Sequence, residues 1–395
     1  MIKEKILTEN PYEELWSYLS YFENYFNCYN YIKNNHKSSK KEIREYKASL
    51  LQYYIKQAHE YYNASLKVSL LTQPTLLYYG ALCLSRALFL GKSGHPDNSN
   101  SHGLSEVDNN ELKDITKFKI RINKKGTFSQ LYKTIQTNYY PNFADISNTN
   151  WTLIDLLSMI PEIKDIYEDI YSKKSLVLKV NRFFDDDGTE YIKIYDDLLS
   201  KMQNKGVKDL FDSINGVKSY YLPYKRLNDS NFLLHKRNNV KGDITQKNLM
   251  GEEYLLLGIK QNRIIDLPDY GKVHLIVYIN IPEMAVHLMI LYLLSMLSRY
   301  HIKMWGEGSL ELETADFFII KNFLKVSTRK FPNLILNQLL DKEHIFTSEL
   351  YKPKDLRIGK YKKQILEIID ERLEKDKEDK RMKKLMVESE HDLWD

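Results

Sequence analysis

The segment that most constrains the fold is residues 75–92, TLLYYGALCLSRALFLGK, which is apolar on nearly every face of a helix. Because a helix without a polar face cannot lie on the protein surface, this segment requires partner helices on all sides. We therefore predict that it forms the central helix of a bundle and ends at Gly91 and Gly94. Residues 284–298 form the longest apolar run, which is shorter than the roughly 20 residues of a membrane span and predicts a second buried helix.

Two further helices are predicted before this central segment. Asn10 is a suitable N-cap before Pro11, so we expect a helix to begin there and to continue to residue 34. Ser38 or Ser39 is predicted to cap the next helix. The apolar stripe of that helix recurs at helical spacing and consists of Ile43, Leu50, Tyr54, Ala58, Tyr61 and Ser65.

The middle of the chain changes to strand-like spacing. Residues 175–184 and 189–195 flank the run Asp-Asp-Asp-Gly and predict a β-hairpin. Further strands are predicted at residues 118–122, 254–259, 263–267 and 274–279, and a helix broken near Pro161 at residues 152–171. Helical spacing returns at residues 282–304, 313–325 and 331–340. Residues 358–394 carry mixed charges, which are typical of a solvated helix, with a partner-binding arm or a flexible tail as alternatives.

These patterns predict a mainly helical α+β protein. We expect a helical bundle at residues 1–110 and a mixed α/β region at residues 111–281. A C-terminal helical part at residues 282–350 is expected to pack on the core, and residues 351–395 form a charged helical tail.

Charge and cysteine content restrict the class of protein. The 58 Lys and Arg residues exceed the 53 Asp and Glu residues by five, which is too small an excess over 395 residues to indicate nucleic-acid binding by itself. With two cysteines and no apolar leader at the start, the sequence predicts a cytoplasmic protein without a disulfide framework. The 30 tyrosines accompany many Lys, Asn and Ile residues, so an AT-rich genome explains them as well as a function does.

No motif for a cofactor, a metal ion or a covalent catalyst is complete. Gly91-Lys92-Ser93 matches the end of a phosphate-binding loop, but Arg86 stands where that loop needs its first glycine. The chain contains no HExxH or CxxC motif, and its ten histidines are scattered. We therefore predict no cofactor and no metal site, and we assign no catalytic residue.

One candidate cluster lies on the central apolar helix. The cluster comprises Tyr78, Tyr79, Arg86 and His102. Tyr79 and Arg86 are seven residues apart, so they share a helix face, and His102 follows in the next loop. Under the structural interpretation, this cluster is a bundle core that contains a satisfied arginine. Under the functional interpretation, it is part of a pocket for an anion or a nucleobase.

The second cluster ends the other apolar helix. Under the structural interpretation, Arg299 neutralises the terminal carbonyl groups of that helix and Trp305 packs below it. Under the functional interpretation, the two clusters meet in space. The candidate pocket then comprises Tyr79, Arg86, His102, Arg299, Tyr300, His301 and Trp305.

Both clusters lie in segments that resemble the YaaC-like family, a bacterial family without an established activity. The resemblance extends over residues 10–345 and is carried by residues 53–90, by Ser101-His102-Gly103-Leu104, by LIDLLSMIPEI from Leu153 and by LSMLSRYHIKMW from Leu294. Ile302 stands where the family often has proline, which argues against a rigid turn at that position.

The order of helix, apolar helix and His-Gly loop also resembles HEPN-type helical domains, many of which are ribonucleases in toxin and phage-defence systems. The resemblance implies a HEPN-like bundle at residues 1–110. HEPN ribonucleases use an arginine followed four to six residues later by a histidine. The spacings here are nine for Arg86 and His95, nine for Arg226 and His235, and two for Arg299 and His301. A standard HEPN ribonuclease is therefore disfavoured, whereas an inactive scaffold or an altered site remains open.

Three functional hypotheses follow. The first is a non-enzymatic protein that binds a protein or RNA partner in a bacterial stress or phage-defence response. The second is a nuclease or nucleotide-acting effector, in which arginine stabilises phosphate charge and histidine transfers protons. The third is a structural homo-oligomer whose exposed tyrosines form the interface.

Overall fold

The computed structural model describes residues 2–107, 114–137, 140–147, 149–184, 190–195, 221–228, 231–236, 245–267, 271–311 and 314–347. They form a mainly helical α+β protein, which confirms the predicted fold class. The helices are α1 (Pro11–Ser20), α2 (Tyr25–Asn35), α3 (Lys41–Ser65), α4 (Gln73–Ser93), α5 (Thr127–Ile135), α6 (Phe143–Ser147), α7 (Leu153–Leu157), α8 (Lys164–Tyr171), α9 (Glu283–Tyr300), α10 (Ile302–Gly306) and α11 (Ala315–Leu340). The strands are β1 (Ile2–Leu7), β2 (Leu104–Val107), β3 (Lys119–Ile122), β4 (Trp151–Thr152), β5 (Val177–Phe184), β6 (Glu190–Tyr195), β7 (Tyr221–Asn228), β8 (Asn231–Lys236), β9 (Thr245–Lys247), β10 (Glu253–Leu256), β11 (Ile259–Leu267), β12 (Gly271–Ile279) and β13 (Lys342–Thr347).

Helix α4 is the centre of the helical core, as its apolar surface predicts. It packs against α2, α3, α5, α9 and α11. Pro74 lies in its first turn, and Gly94 ends it with a φ of 70°, a backbone conformation that glycine adopts without strain. The prediction that Gly91 also ends the helix is wrong, because Gly91 is buried inside the last turns.

The helix predicted from Asn10 to residue 34 is two helices. The Asn10 side chain accepts a hydrogen bond from the Glu13 amide, which confirms the predicted N-cap of α1. A short 3₁₀ turn follows α1, and the Asn24 side chain then accepts hydrogen bonds from the amides of Phe26 and Asn27. A second cap inside the predicted helix therefore starts α2 separately.

The start of α3 also differs from the prediction. Lys40 precedes its first turn and provides no side-chain cap, so the predicted cap by Ser38 or Ser39 is wrong. The Ser39 hydroxyl instead accepts a hydrogen bond of 3.3 Å from Nζ of Lys47.

The buried face of α3 includes Ala58 and Ser65 of the predicted stripe, but its bulky residues lie one position after the predicted ones. Its buried residues are Lys47, Ala48, Leu51, Ile55, Ala58, Tyr62 and Ser65. The sequence has bulky residues in neighbouring pairs, such as Leu50 with Leu51 and Tyr61 with Tyr62, so periodicity alone does not select the face. Close packing on α4 selects it, since a Cβ at Gly80 would lie 2.7 Å from the Tyr62 ring.

The strands form four sheets. The orders are β1-β13, β7-β8-β6-β5-β10-β9, β11-β12 and β2-β3-β4. The hairpin predicted over residues 175–195 is confirmed, because β5 and β6 pair antiparallel, but its turn at residues 185–188 lies outside the described residues. The parallel pair β1 and β13 was not predicted, since Ile2 pairs with Lys342 and only tertiary structure brings them together.

The C-terminal helices are confirmed with two corrections. The helix predicted over residues 282–304 bends by 106° between α9 and α10. The helices predicted at residues 313–325 and 331–340 are one continuous α11 that contains Pro332. Packing of α11 on α1, α4 and α9 stabilises the helical conformation on both sides of Pro332, so the helix continues past the proline.

One buried apolar cluster extends from Leu15 to Phe346 and includes residues of helices and sheets along the described chain. The division into regions at residues 1–110, 111–281 and 282–350 stays a prediction, and the tail at residues 351–395 lies outside the described residues. Among the described helices, none by itself has the length and hydropathy of a membrane span. The bent pair Glu283–Tyr300 and Ile302–Ser309 meets these criteria only when taken together.

Candidate functional site

The two predicted clusters meet where α4 and α9 pack against each other. The hydroxyl groups of Thr75 and Ser298 lie 2.8 Å apart, and the rings of Tyr78 and Tyr292 have their centroids 5.5 Å apart. The later residue of α4 thus contacts the earlier residue of α9, so the two helices run antiparallel. This direction brings the C-terminal end of α9, with Arg299, to the first turns of α4.

Arg299 lies among tyrosines. Its Nη1 donates a hydrogen bond of 3.1 Å to the Tyr79 hydroxyl, and its Nε donates to the carbonyl oxygen of Ser295 at 3.1 Å. The guanidinium carbon lies 5.7 Å from the centre of the Tyr79 ring and 5.1 Å from that of the Tyr300 ring. Tyr300 is 65% exposed, so the outer side of this arrangement is open to solvent.

Arg299 has no acidic partner in the part of the chain that the structure describes. Its described bonds go to a hydroxyl, a carbonyl oxygen and Sδ of Met296, and no described carboxylate lies within ion-pair distance. Guanidinium has five N–H donors, so hydrogen-bonding capacity remains for a ligand. A half-buried arginine between aromatic rings is suited to bind an anion that also carries a planar group.

His102 is positioned by a close approach between two loops. The amide of Phe128 donates a hydrogen bond of 3.0 Å to the His102 carbonyl oxygen. Gly103 and Gly126 have φ angles of 79° and 126°. A Cβ at Gly126 would lie 2.3 Å from the Gly103 backbone nitrogen, so only glycine fits there without displacing the loop.

The His102 ring packs against an aromatic wall. Its centroid lies 5.5 Å from that of Tyr78, 6.5 Å from that of Tyr79 and 6.0 Å from that of Tyr292. Burial lowers the pKa of His102, and the nearby charges of Arg299 and Arg86 lower it further. The ring is therefore neutral at pH 7, and its buried Nδ1 has no hydrogen-bond partner among the residues that the structure describes.

Arg86 is ion-paired within the protein, although its buried Nε forms no hydrogen bond among the described residues. Its Nε lies 3.4 Å from Oδ2 of Asp97, whose side chain is fully buried. Oδ2 of Asp97 also accepts a hydrogen bond of 2.6 Å from the Thr127 hydroxyl, and its Oδ1 accepts one of 2.8 Å from the Ser99 amide. These contacts match the structural interpretation of Arg86, and they fix the loop that leads to His102.

His301 and Trp305 have contacts of their own. Nε2 of His301 lies 3.6 Å from Oε1 of Glu106, and the His301 ring packs edge-on against Phe118. The Trp305 indole is buried and donates to the backbone carbonyl oxygens of Leu70 and Leu71 at 3.3 and 3.2 Å. Trp305 therefore supports the bend between α9 and α10, while Tyr79, His102, Arg299 and Tyr300 form the shared cluster.

Comparison with known proteins identifies the family. A sequence model described as YaaC-like protein matches residues 20–339, which is most of the chain. The chain belongs to the YaaC-like family. No curated protein and no solved structure matches this YaaC-like chain. The family resemblance is thus confirmed, whereas the HEPN-like character of residues 1–110 stays a prediction.

A buried charged network in this YaaC-like protein was not predicted. Nζ of Lys330 lies 3.0 Å from Oε1 of Glu162 and 3.1 Å from Oε1 of Glu283, and all three side chains are buried. His287 extends the network, since its Nε2 lies 3.9 Å from Oε1 of Glu283 and its Nδ1 lies 3.0 Å from the Ser327 hydroxyl. The residues of this network lie far apart in the chain, so no local sequence motif could reveal the network. The sequence signal was a lysine at a core position of an apolar helix.

The described residues contain no group of three or more His, Cys, Asp or Glu that could hold a metal ion. Cys28 and Cys83 are both buried and free. Burial raises the pKa of Cys83 to about 11, so its thiol is protonated at pH 7. The Arg299 and His102 cluster is the strongest candidate site among the described residues.

Proposed function

We propose that this YaaC-like protein is a non-enzymatic RNA-binding component of a bacterial stress or phage-defence response and acts in the cytoplasm. The observation that carries the proposal is Arg299, which lies near the rings of Tyr79 and Tyr300 and has no carboxylate partner among the described residues. RNA supplies both groups that suit this arrangement, a phosphate for the guanidinium and flat bases for the aromatic rings.

The polar groups around Arg299 favour binding over cleavage. His102 has a lowered pKa and is neutral, and the charge of Arg86 is compensated by Asp97. Proton transfer to a leaving group contributes most when the pKa of the acid is near the working pH. The role in defence is supported by the resemblance to HEPN-type domains, which rests on the order of α3, α4 and the His102 loop.

The experiment is purification of the tagged full-length protein from its native host, followed by ultraviolet spectroscopy and sequencing of bound RNA. The matched variants are Arg299→Ala and Lys303→Ala, because Lys303 is a highly exposed cation four residues away. We expect RNA above a tag-only control with the wild type and with Lys303→Ala, and its loss with Arg299→Ala. Enrichment of polypeptides without RNA would contradict the proposal and favour a protein-binding scaffold.

A nuclease or nucleotide-acting effector is the second candidate. The observation that favours it is that Arg299 and His102 both lie against Tyr79. Incubation of the purified protein with labelled RNA tests it. Cleavage products that disappear with His102→Ala but persist with His95→Ala would replace the binding proposal by an enzymatic one.

A further inference from the structure

The inner side of the site carries polar atoms of a different kind from Arg299. The Tyr78 hydroxyl, Nδ1 of His102 and the Ser295 hydroxyl are all buried, and none has a hydrogen-bond partner within the described ranges. Tyr78 and Ser295 are themselves completely buried. Buried polar groups nearly always have partners, so the Tyr78 hydroxyl and Nδ1 of His102, whose rings pack edge-on with centroids 5.5 Å apart, indicate a place for a hydrogen-bonding ligand.

These inner groups are neutral. Burial raises the pKa of Tyr78 far above neutrality, so its hydroxyl keeps its proton. The His102 ring is uncharged for the reasons given above, and serine has no charge. Neutral donors and acceptors in an aromatic wall match the edge of a nucleobase, whereas a phosphate is bound best by cations and backbone amides.

The site therefore has two chemically distinct sides. Arg299 presents a cation and exposed aromatic surface at the outside, and His102 presents neutral hydrogen-bonding groups inside. Tyr79 touches both sides, since its hydroxyl accepts a hydrogen bond from Arg299 and its ring packs edge-on near the His102 ring. A nucleotide has the same division between a charged phosphate and a neutral base.

We propose that the site takes an unpaired base of single-stranded RNA, with His102 at the base edge and Arg299 at the neighbouring phosphate. This inference rests on the proposed function and names the RNA class. In a duplex the base edges are paired and the base faces are stacked, so neither reaches a half-buried histidine.

The test measures fluorescence anisotropy of the full-length protein with three labelled ligands. They are a mixed-sequence RNA 12-mer, the blunt duplex of the same strand, and an abasic ribose-phosphate 12-mer of equal charge. We expect the single strand to bind about tenfold or more tightly than the other two, the range typical of one stacked and hydrogen-bonded base. His102→Ala is expected to abolish most of this preference.

Two further variants keep the test decisive if His102→Ala fails to fold. His102→Asn retains a hydrogen-bonding group near the position of Nδ1 and is expected to preserve the preference in part. His95→Ala removes an exposed histidine from the same loop and is expected to change nothing. Equal affinity for all three ligands would overturn this inference but leave RNA binding intact, whereas failure to bind any ligand would overturn the proposed function itself.

Discussion

Arg299 donates a hydrogen bond to the hydroxyl of Tyr79, although 220 residues separate the two positions in the chain. The same guanidinium also lies over the Tyr79 ring. This contact joins the end of α9 to the start of α4 and unites two clusters that the sequence presents separately. It makes the candidate site a property of the helix packing, so substitutions on either helix are expected to affect it.

Replacing Arg299 by lysine is expected to lower the affinity for single-stranded RNA by about tenfold. Lysine keeps the charge but loses the planar group that packs between Tyr79 and Tyr300. Fluorescence anisotropy at several salt concentrations measures the change. Lys303→Arg is the control, and an unchanged affinity in Arg299→Lys would show that only charge matters at this position.

The pKa of His102 is expected to rise when Arg299 is replaced by glutamine. Burial is the main cause of its lowered pKa, and Arg299 is the larger of the two nearby charges that add to the effect. Titration of the ring protons by NMR measures it. Because the folded-state pKa is lowered, His102 contributes stability above the ordinary histidine pKa of about 6.5, and this stability is lost as the pH falls through the folded value. An unchanged pKa of His102 in Arg299→Gln would show that the charge of Arg299 lies too far from the His102 ring to affect it.

Gly126→Ala is expected to destabilise the protein and to displace the His102 loop. The new Cβ would lie 2.3 Å from the Gly103 backbone nitrogen, at a φ that alanine rarely adopts. We expect the free energy of unfolding, measured in urea, to fall by about 1–3 kcal/mol. Gly306→Ala is the matched control, since nothing lies within 4 Å of its Cβ position. Equal effects of the two substitutions would refute this account of the loop.

Lys330→Met is expected to lower the free energy of unfolding by about 3–5 kcal/mol, because it leaves Glu162 and Glu283 buried without their cation. Lys325→Met, at an exposed position of the same helix, is expected to have little effect. Addition of Glu162→Gln and Glu283→Gln to Lys330→Met is expected to recover part of the loss. Failure of this recovery would show that packing, rather than unpaired charge, causes the destabilisation.

The same network predicts a stability that falls in acid. Burial opposes ionisation of Glu283, but Lys330 and His287 outweigh it and hold the pKa of Glu283 below its usual value. A lowered carboxyl pKa contributes stability above the unfolded-state value, about 4.3 for glutamate, and this stability is lost as the pH falls through the folded value. Unfolding curves at pH 3–7 should therefore show a weaker acid dependence in Glu283→Gln than in the wild type.

Trp305→Phe is expected to reduce stability without changing RNA affinity. The substitution removes the indole N–H that bonds to the carbonyl oxygens of Leu70 and Leu71 but keeps an aromatic ring against Phe317. The loss of such a hydrogen bond costs about 1 kcal/mol. Thermal unfolding measures the stability and fluorescence anisotropy measures the RNA affinity. A marked loss of RNA affinity in the folded variant would show that Trp305 is part of the binding site.

Local patterns predicted the elements whose causes are local. The surface of α4 required burial, Asn10 capped α1, and the alternation at residues 175–195 predicted the β5 and β6 hairpin. The buried face of α3 was misassigned, because pairs of adjacent bulky residues leave two stripes with equal periodicity. The helix boundary at Asn24 was missed, and the break predicted between residues 325 and 331 does not occur, since capping and packing decide whether a helix stops.

The sequence by itself determined the mainly helical α+β class, the central place of α4 and the family of the chain, because each depends on residue types at short or regular spacings. The tertiary structure alone decided which candidate residues meet. It brought Arg299 to Tyr79 beside His102, paired Arg86 with Asp97, and buried Lys330 with Glu162 and Glu283. These contacts depend on how distant helices pack, and packing arises from the summed burial of the whole core rather than from any local pattern.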